Sequence, residues 1–274
     1  MPDSSLPDYS IFDRPEIVSL LFHPRPGHSL SGPLPGVLEL VIPVAPDTCL
    51  AAKLHTADLA GPVILFFHGN GEIVSDYDEL GGIYTGMGIN FLVVDYRGYG
   101  RSTGLPTVSG MMQDCHEVFA YVKKELKEKG YSGPLIVMGR SLGSASAIEL
   151  AAAYEDEING LIIESGFAYL MPLLQLIGVN TEALGLYAEN ELQYTVKIQQ
   201  FKRPVLFIHA EHDHIIPFSD AEALFASCHS IDKTLIKIPE ADHNTIFAKG
   251  MEVYIKAVKE LCEKTGGLVA GRIK

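Results

Sequence analysis

The pentapeptide Gly-x-Ser-x-Gly occurs twice, as Gly100-Arg101-Ser102-Thr103-Gly104 and as Gly139-Arg140-Ser141-Leu142-Gly143. A serine hydroxyl is a useful nucleophile only where a base takes its proton and an acid orients that base. Glycines on either side allow the sharp strand-to-helix turn that exposes such a hydroxyl. Ser141 follows the apolar run Leu135-Ile136-Val137-Met138 and precedes an alanine-rich, helix-like stretch. Ser102 follows the glycine-rich run Asp95-Tyr96-Arg97-Gly98-Tyr99-Gly100, and Pro106 comes soon after it, so no helix starts directly behind that serine. Ser141 is the expected nucleophile, and Ser102 is read as a loop residue.

Where a nucleophile sits on such a turn, the acid and then the histidine follow it along the chain. The later histidines are His209, His212, His214, His229 and His243. His243 lies in the polar stretch Pro239-Glu240-Ala241-Asp242-His243-Asn244, past the last strand-like run, Thr234–Ile238. It is the expected base. Asp213 lies just past the run Val205–Ile208 and is the expected acid. Glu211 and Glu164 are its rivals, whereas Asp242 is too close to His243 in the chain to orient it.

Acyl transfer also needs two N–H donors aimed at the developing oxyanion. One is expected from Leu142, the residue after the nucleophile. The other is expected from Asn70 in His68-Gly69-Asn70-Gly71, with Gly71 as the fallback. The phosphate-binding pattern G-x-x-x-x-G-K-[ST] is absent.

Two other readings compete. His209, His212, Asp213 and His214 are all metal-ligand types, so a metal-dependent hydrolase is an alternative. Their spacing is not H-E-x-x-H, however, and neighbours at a strand end point apart. A non-catalytic binding protein is the second alternative, but it would have no need of serine, acid, histidine and glycine turn together. No metal and no cofactor are expected.

These residues must be carried by a scaffold. Short apolar runs at Val63–Phe67, Phe91–Val94, Leu135–Met138, Leu161–Ile163 and Val205–Ile208 suit strands buried on both faces. Val37–Val44 and Cys49–Thr56 read as strands ahead of them. Helices are expected at Ser75–Gly86, Val108–Lys129, Leu142–Tyr154, Ala221–Ser227 and Glu252–Glu263. Strand alternating with helix implies an α/β fold with a mainly parallel sheet covered on both faces. Nine of the 16 prolines fall within residues 1–46, so residues 1–36 are expected to be an extended segment ahead of one domain, 37–274. The apolar stretch at about 168–203 is too long for an ordinary connection. It is either a helical pair completing the core or a short cap over the site.

Together, His68-Gly69-Asn70-Gly71, Asp95-Tyr96-Arg97-Gly98-Tyr99-Gly100-Arg101-Ser102, Gly139-Arg140-Ser141-Leu142-Gly143, Asp213 with Ile216-Pro217, and His243 resemble the α/β-hydrolase superfamily. The likeness runs from about Val37 and is nearest to small-capped serine hydrolases of the esterase, lysophospholipase and depalmitoylase-like kind. It implies cleavage of a small-molecule ester or thioester without metal or cofactor. It also implies that the run around Ser102 is structural. It leaves the substrate open, since this fold hosts many activities.

With 34 acidic against 21 basic residues, the 274-residue chain carries a net charge of −13. Binding to nucleic acid or to an anionic membrane is therefore not expected. Glu72, Asp76, Asp78 and Glu79, behind the oxyanion turn, mildly disfavour a strongly anionic substrate. No apolar run is long enough to span a membrane, and no signal peptide is evident. The cysteines at 49, 115, 228 and 262 have no metal or redox spacing, which fits a reducing, cytoplasmic setting.

Overall fold

The computed structural model describes residues 8–27, 34–187 and 191–266. Its centre is an eight-stranded sheet: β1 (Val37–Ala45), β2 (Thr48–His55), β3 (Val63–Phe67), β4 (Asn90–Val94), β5 (Leu135–Arg140), β6 (Gly160–Glu164), β7 (Val205–Ala210) and β8 (Lys233–Ile238). The order across the sheet is β1-β2-β4-β3-β5-β6-β7-β8. The β1–β2 and β2–β4 pairs are antiparallel, and all other pairs are parallel. This is the mainly parallel α/β sheet that the apolar runs imply.

The helices among the described residues are α1 (Pro15–Leu21), α2 (Asp78–Gly86), α3 (Val108–Glu128), α4 (Gly143–Ala153), α5 (Leu170–Leu176), α6 (Tyr194–Lys197), α7 (Phe218–Ser227) and α8 (Ile246–Lys264). Side chains alternate across a strand, and β3 shows the consequence. Val63, Leu65 and Phe67 enter one core, with α3, α4 and the 168–203 segment. Ile64 and Phe66 enter the other, with α2 and α8. Helix α8 starts earlier than its charge pattern suggests and is kinked at Gly250, where a Cβ would lie 2.6 Å from Ile238 Cγ2.

The proline-rich N-terminal segment is not simply extended. It contains a 3-10 turn, Ser10–Phe12, and helix α1, with Pro15 in the first turn where its missing N–H costs nothing. Phe12, Ile17, Leu21 and Phe22 are buried in the larger core. The apolar side chains that proline spacing conceals therefore make this segment part of the globule.

The 168–203 segment supplies α5, α6 and the 3-10 turn Ile198–Gln200. Leu170, Met171, Leu174, Val179, Leu186, Leu192, Tyr194, Ile198 and Phe201 are buried in the larger core. Tyr169, Leu176, Tyr187 and Val196 remain exposed. Lys197 reaches Glu149 of α4 (2.7 Å) and Tyr9 Oη (2.9 Å), and Arg14 donates to the Leu184 carbonyl (2.7 Å). The segment and the N-terminal arm thus hold each other against the sheet. All four cysteines are free, and three of them are buried.

Candidate active site

Strand β3 has β4 on one side and β5 on the other, so the chain changes direction across the sheet at this point. The crevice at the carboxyl ends of such strands is where open α/β sheets place their sites. Phe67 pairs with Gly139 there, which puts the His68–Glu72 turn beside the Ser141 turn.

Ser141 is the first residue after β5 and has φ +50°, in the left-handed region. A non-glycine residue held there is strained by about 1–3 kcal/mol. Its surroundings impose the conformation. Ser141 N–H donates to Glu164 O (2.9 Å), while Ser141 O accepts from Ser144 N–H (2.9 Å) and Ser144 Oγ (2.7 Å). The flanking glycines make room for the turn. A Cβ on Gly143 would lie 2.0 Å from Phe67 O, and one on Gly139 would lie 2.3 Å from Gly143 O.

Asp213 and His243 follow the ends of β7 and β8, further along the same edge of the sheet. His243 Nε2 is 2.9 Å from Ser141 Oγ, and His243 Nδ1 is 2.7 Å from Asp213 Oδ2. Asp213 Oδ1 accepts from the N–H groups of Ile215 (3.0 Å) and Ile216 (2.8 Å). Burial alone would raise the Asp213 carboxyl. The His243 contact and the two N–H groups outweigh burial and hold it below the usual carboxylate range. An ionised carboxylate only accepts, so Nδ1 carries the proton and Nε2 presents its lone pair to Ser141 Oγ. All three side chains are nearly buried, Ser141 being 8 % exposed.

The rival acids go elsewhere. Glu211 Oε2 accepts from Glu240 N–H (3.1 Å), not from His243. Glu164 bonds Arg140 and Tyr254, not His243. Asp242 bonds Thr245 and the Asn244 N–H, forming the turn that presents His243.

The metal-type cluster does not converge. His209 is buried, with Nε2 2.8 Å from Ile216 O and 3.5 Å from Asp213 Oδ2. His212 and His214 are exposed. Among the described residues, no three His, Cys, Asp or Glu side chains are arranged to hold a metal ion.

Asn70 lies in the His68–Glu72 turn and Leu142 directly follows Ser141, and neither N–H finds an acceptor among the described residues. The Asn70 side chain is fully engaged. Its amide nitrogen lies 2.7 Å from Leu21 O and 2.8 Å from His23 Nδ1, and its oxygen accepts from His23 N–H (2.9 Å) and Tyr99 Oη (2.6 Å). Arg25 Nε also donates to Gly71 O (2.6 Å). The N-terminal arm therefore pins the turn that carries Asn70. No local pattern near Asn70 signals this, because the arm lies about 47 residues away in the chain.

Sequence reasoning also missed Arg140. Its guanidinium, 12 % exposed, donates from Nε to Glu164 (3.0 Å), from Nη1 to Glu72 (2.5 Å) and from Nη2 to His243 O (2.9 Å). Tyr77 donates to Glu72 (2.5 Å) and Tyr254 to Glu164 (2.7 Å). Burial raises the Glu164 carboxyl, and Arg140 only partly offsets this. A signal was available: charged residues at the ends of fully apolar strands must be paired if they are buried. Three of the four acids behind the oxyanion turn are engaged in ion pairs. Glu72 is bonded to Arg140, Asp76 to Arg25 and Asp78 to Lys53.

A family described as serine aminopeptidase, S33, matches residues 60–177. Protein bem46 of Schizosaccharomyces pombe is 29% identical over 189 residues, covering 67% of this chain and 62% of that protein. Lysophosphatidylserine lipase ABHD12 of Danio rerio is 29% identical over 181 residues, covering 60% of this chain and 46% of that protein. This chain thus spans less than two thirds of either relative. Among solved structures, Pyrococcus furiosus esterase Pf2001 superposes with a TM-score of 0.67 at 18% identity, covering 87% of this chain and 98% of that one. That likeness carries the fold.

Proposed function

We propose that the chain is a serine hydrolase of the α/β-hydrolase superfamily, of esterase or lipase type, that cleaves carboxylic esters or thioesters. The observation that carries this reading is the continuous chain Ser141 Oγ to His243 Nε2 (2.9 Å) and His243 Nδ1 to Asp213 Oδ2 (2.7 Å). His243 takes the Ser141 proton as Oγ attacks the acyl carbon, and Asp213 steadies the imidazolium that forms. The N–H groups of Asn70 and Leu142 receive the oxyanion. His243 then returns the proton to the departing alcohol or thiol, leaving an acyl group on Ser141. Water, deprotonated by His243, frees the acid in the second half. Every step is proton transfer or acyl transfer, so no cofactor enters the balance.

An amide is the competing substrate class, because the matching family is described as an aminopeptidase. A substrate with a free α-amine needs a carboxylate available to bind it. Glu72, Asp76 and Asp78, nearest the oxyanion turn in the chain, are already paired. This favours esters and thioesters. A reducing compartment belongs to the same proposal, supported by the buried free thiols of Cys115, Cys228 and Cys262.

The deciding experiment is a panel of p-nitrophenyl esters, acyl thioesters and aminoacyl amides of increasing chain length, together with fluorophosphonate labelling. Esters or thioesters should turn over, with the label on Ser141. Turnover confined to aminoacyl amides would replace the substrate class. No labelling of the folded protein would leave a binding protein. Activity that a chelator abolishes and zinc restores would return the reading to a metal-dependent hydrolase. Within the panel, each acyl methylene that leaves water contributes up to about 0.8 kcal/mol. The half-buried Leu173 is the residue of choice for probing the wall of an acyl pocket, since Leu174 is fully buried in the core. Leu173→Gln should raise KM for longer esters more than for acetate. A chain-length profile that this change leaves untouched would restrict the 168–203 segment to packing.

A further inference from the structure

We propose that Arg140 is a positioning residue that sets the distance of His243 from Ser141 and ties both to the oxyanion turn. The inference rests on the reading of Ser141 and His243 as nucleophile and base. Each of three guanidinium nitrogens bonds a different part of the chain. Nε meets Glu164 at the end of β6, Nη1 meets Glu72 just past Asn70, and Nη2 meets the main-chain carbonyl of His243. Arg140 is also covalently next to Ser141. One flat, rigid group therefore joins the nucleophile turn, the base loop and the oxyanion turn.

The remaining oxygens of the two carboxylates are also engaged. Glu72 Oε2 accepts from Gly69 N–H (2.6 Å) and Tyr77 Oη (2.5 Å), and Glu164 Oε2 accepts from Tyr254 Oη (2.7 Å). Gly69 is glycine for the same reason, since a Cβ there would lie 2.6 Å from Arg140 Nη1 and 2.8 Å from Glu72 Oε2. The His243 loop has few other ties near the ring. They are the Asp213 and Ser141 contacts on the side chain, Glu240 N–H to Glu211 (3.1 Å), His212 N–H to Ala241 O (2.9 Å), and the turn in which Asp242 bonds Asn244 N–H and Thr245. The Arg140 bond is the one given to His243's own backbone oxygen among the described residues. A lysine keeps the charge but has a single nitrogen on a flexible stem, so it cannot span three acceptors in a plane.

The test compares Arg140→Lys with wild type, with Arg101→Lys as the control in the other pentapeptide. Misplacing a catalytic group by a fraction of an ångström to 1 Å lowers turnover by roughly 10- to 100-fold. Arg140→Lys should show that loss in kcat on a short p-nitrophenyl ester, with KM little changed and the melting transition retained. The His243 Nδ1 proton, followed by NMR, should exchange faster with solvent. Wild-type kcat and wild-type exchange in folded Arg140→Lys would overturn the proposal. If that variant does not fold, Glu164→Gln takes its place, since it keeps an acceptor for Nε but removes one charge. A several-fold loss of kcat at constant KM supports the proposal, and unchanged kcat with unchanged exchange overturns it. Ser141→Ala keeps the two ideas apart. If it retains turnover, the acyl-enzyme reading falls, while the proton-exchange measurement still decides the role of Arg140.

Discussion

Gly-Arg-Ser occurs at 100–102 and again at 139–141, with a glycine two residues further on in both, yet the two copies are built for different tasks. Ser141 Oγ lies 2.9 Å from a histidine ring and its backbone is forced to φ +50°. Ser102 Oγ accepts from Ala51 N–H (2.8 Å) and so stitches its loop to β2. Arg140 is buried across three chain segments, whereas Arg101 is 60 % exposed beside Glu39. Behind Ser141 runs α4, packed tightly enough against β3 that Gly143 tolerates no side chain. Behind Ser102 comes Pro106 and no helix until Val108. Identical residue types acquire different surroundings because one copy ends a central parallel strand and the other closes a loop at the antiparallel side of the sheet.

The comparison breaks most sharply at the serines. Ser141→Ala should lower turnover by roughly 10⁴–10⁶. Ser102→Ala should keep turnover within a few-fold and lower stability by about 1 kcal/mol, since Ala51 N–H loses its acceptor. Steady-state kinetics with parallel urea unfolding measures both. Loss of activity in a folded Ser102→Ala, with Ser141→Ala active, would reverse the assignment.

Next comes Asp213, the proposed acid, which only the second copy has. Asp213→Asn should reduce kcat on the order of 10⁴ with the fold intact, because the imidazole loses the partner that sets its tautomer. Glu211→Gln, whose carboxylate bonds Glu240 N–H rather than His243, should cost much less. If the two effects were exchanged, Glu211 would be the acid.

A smaller effect lies in the helix that only Ser141 has behind it. Glu149 of α4 is buried, which alone would raise its carboxyl. His116, Lys197 and Tyr9 together bring it down to about 2 from an ordinary 4.5. A depressed carboxyl contributes stability above its unfolded pKa, and that contribution disappears as pH falls through the folded one. It amounts to something on the order of 3 kcal/mol at neutral pH. The stability difference between wild type and Glu149→Gln should therefore shrink as pH falls from about 4.5 toward about 2, read by urea midpoints. A difference independent of pH in that window would show that Glu149 acts through packing alone.

The smallest effect belongs to Arg101. Arg101→Gln should leave kcat unchanged and shift stability by no more than about 0.5 kcal/mol, as exposed ion pairs do. A large loss of turnover would mean that the first copy takes part in the chemistry after all.

By itself the sequence determined the layered sheet and helices, because burial on both faces writes continuous apolar runs such as Val63–Phe67 and Leu135–Met138 directly into the chain. It also singled out Ser141 over Ser102, because strand–turn–helix context is local. It named Asp213 and His243 by their order along the chain, and the folded chain brings both within hydrogen-bond reach of their neighbours. Tertiary structure alone decided what depends on residues far apart in sequence. It turned the proline-rich arm into part of the core and a clasp on Asn70, and it sent His209 beneath Asp213 while leaving His212 and His214 at the surface. It packed apolar side chains of the 168–203 segment, such as Leu170, Leu174, Tyr194 and Phe201, into the core rather than leaving the segment as a loose cover. It also closed Arg140, Glu72, Glu164 and the His243 carbonyl into one network. The physical reason is the same in each case. A hydrophobic period is a property of neighbours in the chain, but the pairing of a buried charge depends on which strand ends the fold brings to the same point.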